Sequence, residues 1–321
     1  MIPQLSLSQS GIWNIPDTLV EEESSLNIQG LDVESPEAEF QTIREMDKKT
    51  FDFLTQEFKN HAGNRYNDVI PYENRVKLQS GDYINASLVS MPEGETYICA
   101  QGPLPNTISQ FWEMIWQEDV QVIVMVADLR EGIIVKCAQY WPKLGVTDKF
   151  DDIEVQCISE KFRYAGSPFE DEEGLTLRTF KLKNGTSEKI VYQLKYENWK
   201  DHEIANLDLV SQLIDEANTL RKIKDKPLLV HCSAGIGRTG TFVAEHHLCS
   251  QIDLAISEKI CPVVDVRKTV IQLRNVQTGR VNMVQNKKQY SHIYHLLRKR
   301  YGHIEFSAVE SPKRHLLKMS K

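Results

Sequence analysis

Long apolar stretches are missing from this sequence of 321 residues. The longest such run, residues 120–129, contains Gln121 and Asp128 and is too short to cross a bilayer. Residues 1–20 have no positively charged start and no sustained apolar segment, so they lack the pattern of a secretory signal. With 41% hydrophobic and 26% charged residues, the composition is that of an ordinary soluble protein, and we expect no membrane span.

Cysteines at metal-binding spacing are also missing. The six cysteines include no CxxC pair, so we expect no metal site. The net charge of −7 argues against a protein that binds nucleic acid in bulk, although it is compatible with a local basic pocket. Residues 1–39 contain eight acidic residues and no Lys or Arg, which predicts a flexible acidic leader, whereas residues 303–321 form a predicted basic tail.

Periodic patterns in the remaining chain predict an α/β fold. Apolar side chains recur at helical spacing between residues 40 and 58. Strands are predicted at residues 97–101, 121–127, 153–160, 175–182, 189–196 and 228–230. The run at 121–127 is continuously apolar, which is typical of a strand near the middle of a sheet.

The stretch Pro227–Phe242, PLLVHCSAGIGRTGTF, is the most informative part of the chain. A short strand is followed by a loop of small residues and then by a helix, and the loop glycines permit backbone angles that side chains forbid. Successive amide groups at the positive end of a helix make a site for a doubly charged anion. In this loop the donors are the amides of Ser233, Ala234, Gly235, Ile236 and Gly237.

Cys232 and Arg238 make this loop a candidate for chemistry. A thiol among amide donors beside a helix N-terminus has its thiolate favoured and becomes a nucleophile at neutral pH. The planar guanidinium of Arg238 can hold two phosphoryl oxygens, and the hydroxyl of Thr239 is suited to easing the departure of the sulfur. Two alternatives are a nucleotide-binding glycine loop, which here lacks its usual Lys, and a core cysteine beside a glycine turn.

The loop resembles the signature of the protein tyrosine phosphatases, His-Cys-x5-Arg-Ser/Thr, with His231 as its first residue. The resemblance extends over residues 40–302 and implies a highly twisted mixed β-sheet flanked by α-helices. It also implies that Cys232 takes the phosphoryl group of phosphotyrosine as a cysteinyl phosphate, which water then hydrolyses. The family needs no metal or other cofactor for this reaction.

Motifs on both sides of the loop carry the resemblance further. The segment NRYNDVIPY at residues 64–72 implies that Tyr66 walls a deep pocket and that Asp68 accepts hydrogen bonds from the substrate backbone. An aromatic wall of this kind fits phosphotyrosine and would leave phosphoserine short of the nucleophile. The segment RVNMVQNKKQY at residues 280–290 implies that Gln285 positions the attacking water, with Gln289 as its partner.

Two further segments contain supporting residues. Glu131 and Lys136 lie in the segment that ends in the motif CAQYWP. The resemblance implies that Glu131 orients the catalytic Arg and that Lys136 approaches the loop that carries the general acid, which we call the acid loop. Trp199-Lys200-Asp201 occupies the position of the family's mobile Trp-Pro-Asp loop, so the resemblance implies that Asp201 is the general acid. Lys200 replaces the usual Pro and loosens the backbone there.

These residues leave three functions to compare. The first is a signalling phosphatase that acts on phosphotyrosine in proteins, and the alternative is a phosphotyrosine-binding module whose turnover is weakened by Lys200. The third, a phosphoinositide or dual-specificity phosphatase, is disfavoured by Tyr66 and Asp68. We expect phosphotyrosine-containing proteins as partners, no nucleic acid, and a monomer in the reducing cytoplasm; delivery to another cell stays open.

Overall fold

The computed structural model of the protein describes residues 28–51, 58–92, 94–164, 173–223 and 225–302. Within these ranges, no helix is both long enough and apolar enough to span a membrane. Most of the expected acidic leader, residues 1–27, and the expected basic tail, residues 303–321, lie outside the described residues. The predicted helix at residues 40–58 is described as a helix as far as Phe51.

A mixed sheet of eight strands forms the centre of the structure. Its spatial order is β1-β2-β10-β3-β9-β8-β7-β6, and β2, β10, β3 and β9 are mutually parallel while the other neighbours are antiparallel. A separate two-stranded hairpin is formed by β4 and β5. The strands are β1 Ala86–Ser90, β2 Thr96–Ala100, β3 Val122–Met125, β4 Arg130–Glu131, β5 Ile134–Val135, β6 Thr147–Phe150, β7 Ile153–Tyr164, β8 Gly174–Asn184, β9 Ser187–Glu197 and β10 Leu228–His231.

Helices cover both faces of this sheet, as the α/β prediction requires. They are α1 Pro36–Phe51, α2 Ile108–Gln117, α3 Leu207–Leu220, α4 Gly237–Ser257, α5 Val266–Leu273 and α6 Lys287–Tyr301. Successive side chains of a strand point to opposite faces, so Leu228 and Val230 join the core beneath α1 and α3–α6 while Leu229 joins the core beneath α2. The six strands predicted from periodicity are confirmed, including the central position of β3.

Residues 28–39 pack against the domain although the sequence places them in the acidic leader. Ile28 and Leu31 are buried in the main core, and Gln29 forms a β-bridge with Val263. The packed region therefore begins before residue 40, the boundary that the sequence predicts. Acidic composition predicts a flexible segment, but its buried apolar side chains join the main core, and Arg298 on α6 donates to the carbonyls of Leu31 and Val33.

Glu39 fastens α1 to α6, and its removal provides a test of this docking. Its Oε2 accepts hydrogen bonds from the Tyr290 hydroxyl at 2.6 Å and the Tyr294 hydroxyl at 2.7 Å, both on buried side chains. We expect Glu39→Ala to lower the free energy of unfolding by about 2 kcal/mol, because two buried hydroxyls lose their acceptor. Glu39→Gln, which keeps an acceptor oxygen, should lose less in urea unfolding. Equal losses in the two variants would contradict this role.

Candidate active site

The loop between β10 and α4 lies at the carboxyl end of the parallel strands, where open α/β sheets generally bind their ligands. Cys232 follows β10 directly and is only 3% exposed. The Gly235 amide donates to its Sγ at 3.2 Å. Gly235 has φ +76°, and a Cβ at this position would collide with the Ala100 carbonyl on β2. The loop therefore wraps tightly around the sulfur only because residue 235 is glycine.

Arg238, in the first turn of α4, is completely buried. Its Nη1 donates to Glu131 Oε1 at 2.7 Å and to the Trp199 carbonyl at 2.6 Å. Its Nε and Nη2 make no hydrogen bond within the described part of the chain. The guanidinium is thus oriented by one nitrogen while the other two keep N–H groups for an anion.

Asp201 lies against two positive charges. Lys136 Nζ donates to its Oδ2 at 2.8 Å, and Arg238 Nη2 lies 3.4 Å from its Oδ1. Burial of the Asp201 carboxyl raises its pKa, but the charges of Arg238 and Lys136 outweigh burial and bring the pKa below its usual range. The acid expected from the sequence is therefore at the site and ionised in this state. Glu131 Oε2 lies 3.4 Å from Lys136 Nζ, so Glu131, Lys136, Asp201 and Arg238 form one cluster of charged side chains.

Several polar atoms around the loop are buried without a hydrogen-bond partner among the described residues. Besides the two Arg238 nitrogens, they include Thr239 Oγ1 and Gln289 Nε2. The Gln285 amide N–H donates to Gln289 Oε1 at 2.8 Å, and the Gln285 side chain lies directly against Gly237. The structure brings these sequence-predicted residues together around Cys232. Because buried polar groups are normally paired, the arrangement is suited to a polar ligand.

Tyr66 stands beside the loop and Asp68 lies farther out. The Tyr66 hydroxyl donates to Ser233 Oγ at 3.0 Å, since that oxygen in turn donates to the Lys136 carbonyl at 2.9 Å. The Arg65 side chain anchors the Tyr66 segment by donating to three backbone carbonyls, those of Gly102, Pro103 and Val135. Asp68 is exposed and is open to a macromolecular ligand.

A buried hydrogen-bond chain behind the loop was not identified from the sequence. Gln193 Nε2 donates to the Tyr140 hydroxyl at 2.6 Å, and this hydroxyl lies 2.9 Å from His231 Nε2. His231 Nδ1 is 3.2 Å from the Cys232 carbonyl, which can only accept. Burial lowers the pKa of His231 to about 4, so the ring is neutral with its proton on Nδ1. Gln193, a polar residue in a mostly apolar part of β9, was the sequence feature that could have indicated a buried hydrogen-bond partner here.

Arg280 is a second supporting residue that the sequence reasoning missed. It is buried, and its guanidinium donates to Asn85 Oδ1 at 2.5 Å and to the Ala234 carbonyl at 3.2 Å. The loop amides can point inward only if the loop carbonyls point outward, and Arg280 holds one of them there. Within the described residues, no group of three or more His, Cys, Asp or Glu side chains could hold a metal ion.

The sequence model of the protein-tyrosine phosphatases matches residues 60–299. The chain belongs to this family. Two tyrosine phosphatases with similar sequences are receptor-type tyrosine-protein phosphatase eta of Gallus gallus, 37% identical over 74% of this chain, and tyrosine-protein phosphatase non-receptor type 7 of Homo sapiens, 35% identical over 74%. The matched region spans 16% of the first protein and 64% of the second.

Solved tyrosine phosphatase structures share the fold. The catalytic domain of human protein tyrosine phosphatase non-receptor type 18 superposes with a TM-score of 0.72 at 29% identity, over 83% of this chain and 96% of that one. A structure of that phosphatase in complex with HER2 phosphopeptides gives a TM-score of 0.73 at 28% identity, over 85% and 96% of the two chains. The expected phosphatase fold is therefore confirmed.

The close approach of Gly235 to β2 can be tested in this phosphatase domain by comparison with a glycine that has a similar backbone angle but no close neighbour. Gly185, in the β8–β9 turn, has φ +57° and open space where a Cβ would lie. We expect Gly185→Ala to cost about 1 kcal/mol of folding free energy from the left-handed backbone alone. Gly235→Ala should cost about 3 kcal/mol or more, because overlap with Ala100 adds to that strain.

Chemical unfolding measures the two costs, and binding of inorganic vanadate reports the loop. Gly235→Ala should also lose most of its vanadate affinity, whereas Gly185→Ala should retain it. Equal unfolding costs, or unchanged vanadate binding in Gly235→Ala, would contradict the tight wrapping of the loop.

Proposed function

We propose that this chain hydrolyses phosphotyrosine in proteins through a cysteinyl-phosphate intermediate. The observation that carries the proposal is that buried donors without a hydrogen bond lie in the same loop as Cys232. Arg238 Nε and Nη2 make no hydrogen bond within the described chain, although Nη2 lies 3.4 Å from Asp201 Oδ1, and the Gly235 amide of this loop donates to the Cys232 sulfur. Such a cradle suits a phosphoryl dianion, because amide and guanidinium donors stabilise charge on all its free oxygens.

In the first step, the Cys232 thiolate attacks phosphorus in line with the tyrosine oxygen. A sulfur–phosphorus bond forms while the phosphorus–oxygen bond breaks, and the leaving phenolate takes a proton from Asp201. Arg238 holds two equatorial oxygens through the transition state. Glu131 keeps the guanidinium oriented, since it binds Nη1 and leaves the remaining nitrogens to the phosphoryl group.

The proton on Asp201 depends on the substrate. Arg238 and Lys136 lower the pKa of the carboxyl despite its burial, so it is ionised before substrate binds. A bound phosphoryl dianion places negative charge beside the same two cations and offsets their effect on Asp201. Proton affinity of the carboxyl therefore rises when substrate arrives, because a nearby like charge disfavours the ionised form. Substrate binding in this way prepares the acid.

In the second step, water attacks the phosphocysteine. Gln285 holds this water in the proposed step, and the contact of its side chain with the loop at Gly237 supports that role. Asp201, now ionised, accepts a proton from the water, the sulfur–phosphorus bond breaks, and inorganic phosphate leaves. Thr239 Oγ1 has no partner within the described residues and is free to donate to the departing thiolate.

The surroundings of the loop favour phosphotyrosine as the substrate group. Tyr66 forms an aromatic wall fixed to the loop through Ser233, which suits stacking on a phenyl ring. Asp68 is exposed at the outer end of that segment, where it is available to backbone amides of a substrate protein. A related phosphatase, human non-receptor type 18, was solved with phosphopeptides of HER2. We propose phosphotyrosine-containing proteins as partners of a monomer in the reducing cytoplasm, which keeps the Cys232 thiol available.

Lys200 motivated the alternative of a binding module with weakened turnover. The side chain is exposed, and no comparison supports that alternative. Burial raises the pKa of Asp201, and the charges of Arg238, Lys136 and His202 lower it. The state of the acid is therefore explained by these residues without a contribution from Lys200. The Asp201 carboxyl lies against the two buried cations Lys136 and Arg238, and this arrangement supports turnover over binding alone.

Substitution of the nucleophile tests the proposed function directly. Cys232→Ser should reduce hydrolysis of a phosphotyrosine peptide to background, because a serine hydroxyl in this loop is a much weaker nucleophile than a thiolate. Binding of the same peptide should persist, since the amide cradle and Arg238 are unchanged. Calorimetry measures the binding and phosphate release measures the turnover. Hydrolysis by Cys232→Ser at the wild-type rate would refute the mechanism.

The pH dependence distinguishes the cations that act on Asp201. Lys136→Met removes a positive charge 2.8 Å from the carboxyl, so the pKa of Asp201 should rise. The protonated acid then persists to higher pH, and the basic limb of the kcat/KM profile on phosphotyrosine shifts to higher pH. Lys200→Met is the matched control and should leave that limb in place, because water screens the exposed Lys200 charge. An unmoved limb in Lys136→Met, or equal shifts in both variants, would contradict this electrostatic arrangement.

A further inference from the structure

A buried acid–base pair lies behind the acid loop, outside the residues assigned above. Glu245 on α4 and His292 on α6 are 0% and 1% exposed. The Glu245 Oε1 to His292 Nδ1 distance is 2.5 Å. Burying two ionisable groups is costly unless each is paired, and a well-packed apolar pair would fill the same space without that cost. The pair therefore requires an explanation beyond packing.

The second ring nitrogen of His292 contacts the acid loop. His292 Nε2 lies 2.9 Å from the Ala205 carbonyl, which can only accept, so Nε2 carries a proton. A further proton must lie between Nδ1 and Glu245 Oε1, whether the pair is imidazolium–carboxylate or imidazole–carboxylic acid. In both forms the hydrogen bond to Ala205 is retained. Without Glu245, a neutral ring could move its single proton to Nδ1 and turn a lone pair toward the carbonyl.

Electrostatics support a doubly protonated ring. Burial lowers the pKa of His292, but the charge of Glu245, its hydrogen bond and the Ala205 carbonyl outweigh burial and raise the pKa above its usual range. The charge of Glu173, just before β8, acts in the same direction. The ring thus remains a donor to Ala205 at neutral pH.

Ala205 is the point at which the acid loop joins α3. The next residue, Asn206, caps that helix by accepting from the amides of Asp208 and Leu209, and its own amide donates to the Tyr196 hydroxyl at 2.9 Å. At the other end of the loop, the Trp199 ring packs 6.2 Å from the His292 ring, centroid to centroid. His292 therefore contacts both ends of the segment that contains the acid.

We infer that His292 is a positioning residue for the acid loop, held by Glu245 so that it donates to Ala205 and thereby places Asp201 over the leaving oxygen. The inference rests on the proposed role of Asp201 as general acid. The loop has Lys at position 200, where a proline would have restricted the backbone. An anchor from the core at the opposite end of the loop supplies a restraint that its own sequence lacks.

A double variant, Glu245→Leu with His292→Phe, removes the anchor without leaving an unpaired buried charge. The matched control is His247→Phe with Glu95→Gln, because His247 also lies on α4 and pairs with Glu95 at 2.7 Å, away from the acid loop. A more conservative pair, Glu245→Gln with His292→Phe, serves if the first does not fold. Glu245→Gln alone is the rescue variant, since its amide can donate to His292 Nδ1 and preserve the bond to Ala205.

Two measurements report the anchor. Amide hydrogen exchange of residues 199–206 should become about tenfold faster in the double variant, because the loop opens more easily. The ratio of kcat on a phosphotyrosine peptide to kcat on p-nitrophenyl phosphate should fall about tenfold, since only the poorer leaving group needs the proton. The control and Glu245→Gln should keep both values near those of the wild type.

The outcomes separate the anchor from the acid. Unchanged exchange in the double variant, or an equal change in the control, overturns the inference. Faster exchange with an unchanged substrate ratio also overturns it, provided that Asp201→Asn lowers the ratio in parallel measurements. If Asp201→Asn leaves the ratio unchanged as well, the general-acid assignment fails, and the exchange data alone decide whether His292 anchors the loop.

Discussion

The buried positive charge of Arg238 is the constraint on which the rest of the site depends. A fully buried guanidinium needs partners, and two distant parts of the chain supply them. Glu131 comes from the β4–β5 hairpin, and the Trp199 carbonyl and the Asp201 carboxylate come from the acid loop. One side chain therefore draws together segments separated by more than a hundred positions, from residue 131 to residue 238. The two nitrogens that make no hydrogen bond among the described residues, Nε and Nη2, are those that we propose to hold a phosphoryl group.

The same cations that create an anion site also control the acid. Asp201 contacts Arg238 and Lys136, and their charges keep it ionised until another anion shares them. In the proposed mechanism, this coupling means that Asp201 carries its proton mainly when a substrate dianion is present. A cluster of Glu131, Lys136, Asp201 and Arg238 thus acts as one electrostatic unit. Under the proposed mechanism, we expect a single substitution within this unit to change both phosphate binding and proton delivery, and the two effects to be separable through pH or leaving-group dependence.

Rigid and movable parts of the site are supported differently. The Cys232 loop is held by buried hydrogen bonds, from Gln193 through Tyr140 and His231 to the Cys232 carbonyl, and from Arg280 to the Ala234 carbonyl. The acid loop is held by side chains from other segments: Arg238 at the Trp199 carbonyl, Lys136 at Asp201 and His292 at the Ala205 carbonyl. Fixed amide donors act on the transition state without reorganisation, whereas a loop that delivers a proton must also open for substrate. The Glu245–His292 pair limits that freedom at one end.

Sequence alone determined the elements whose signals are local. The apolar strands, the glycine loop between β10 and α4, and the residue types Cys232, Arg238 and Asp201 could all be predicted, because period, turn chemistry and motif spacing lie within short stretches. Only the tertiary structure decided which distant polar residues meet in the core. Gln193, Arg280, Glu245 and His292 stand in sequence patterns that do not distinguish them, and their contacts are with partners 46 to 195 positions away. The docking of residues 28–39 was likewise decided by tertiary packing, since their acidic composition predicts a flexible segment while a few buried apolar contacts determine where it lies.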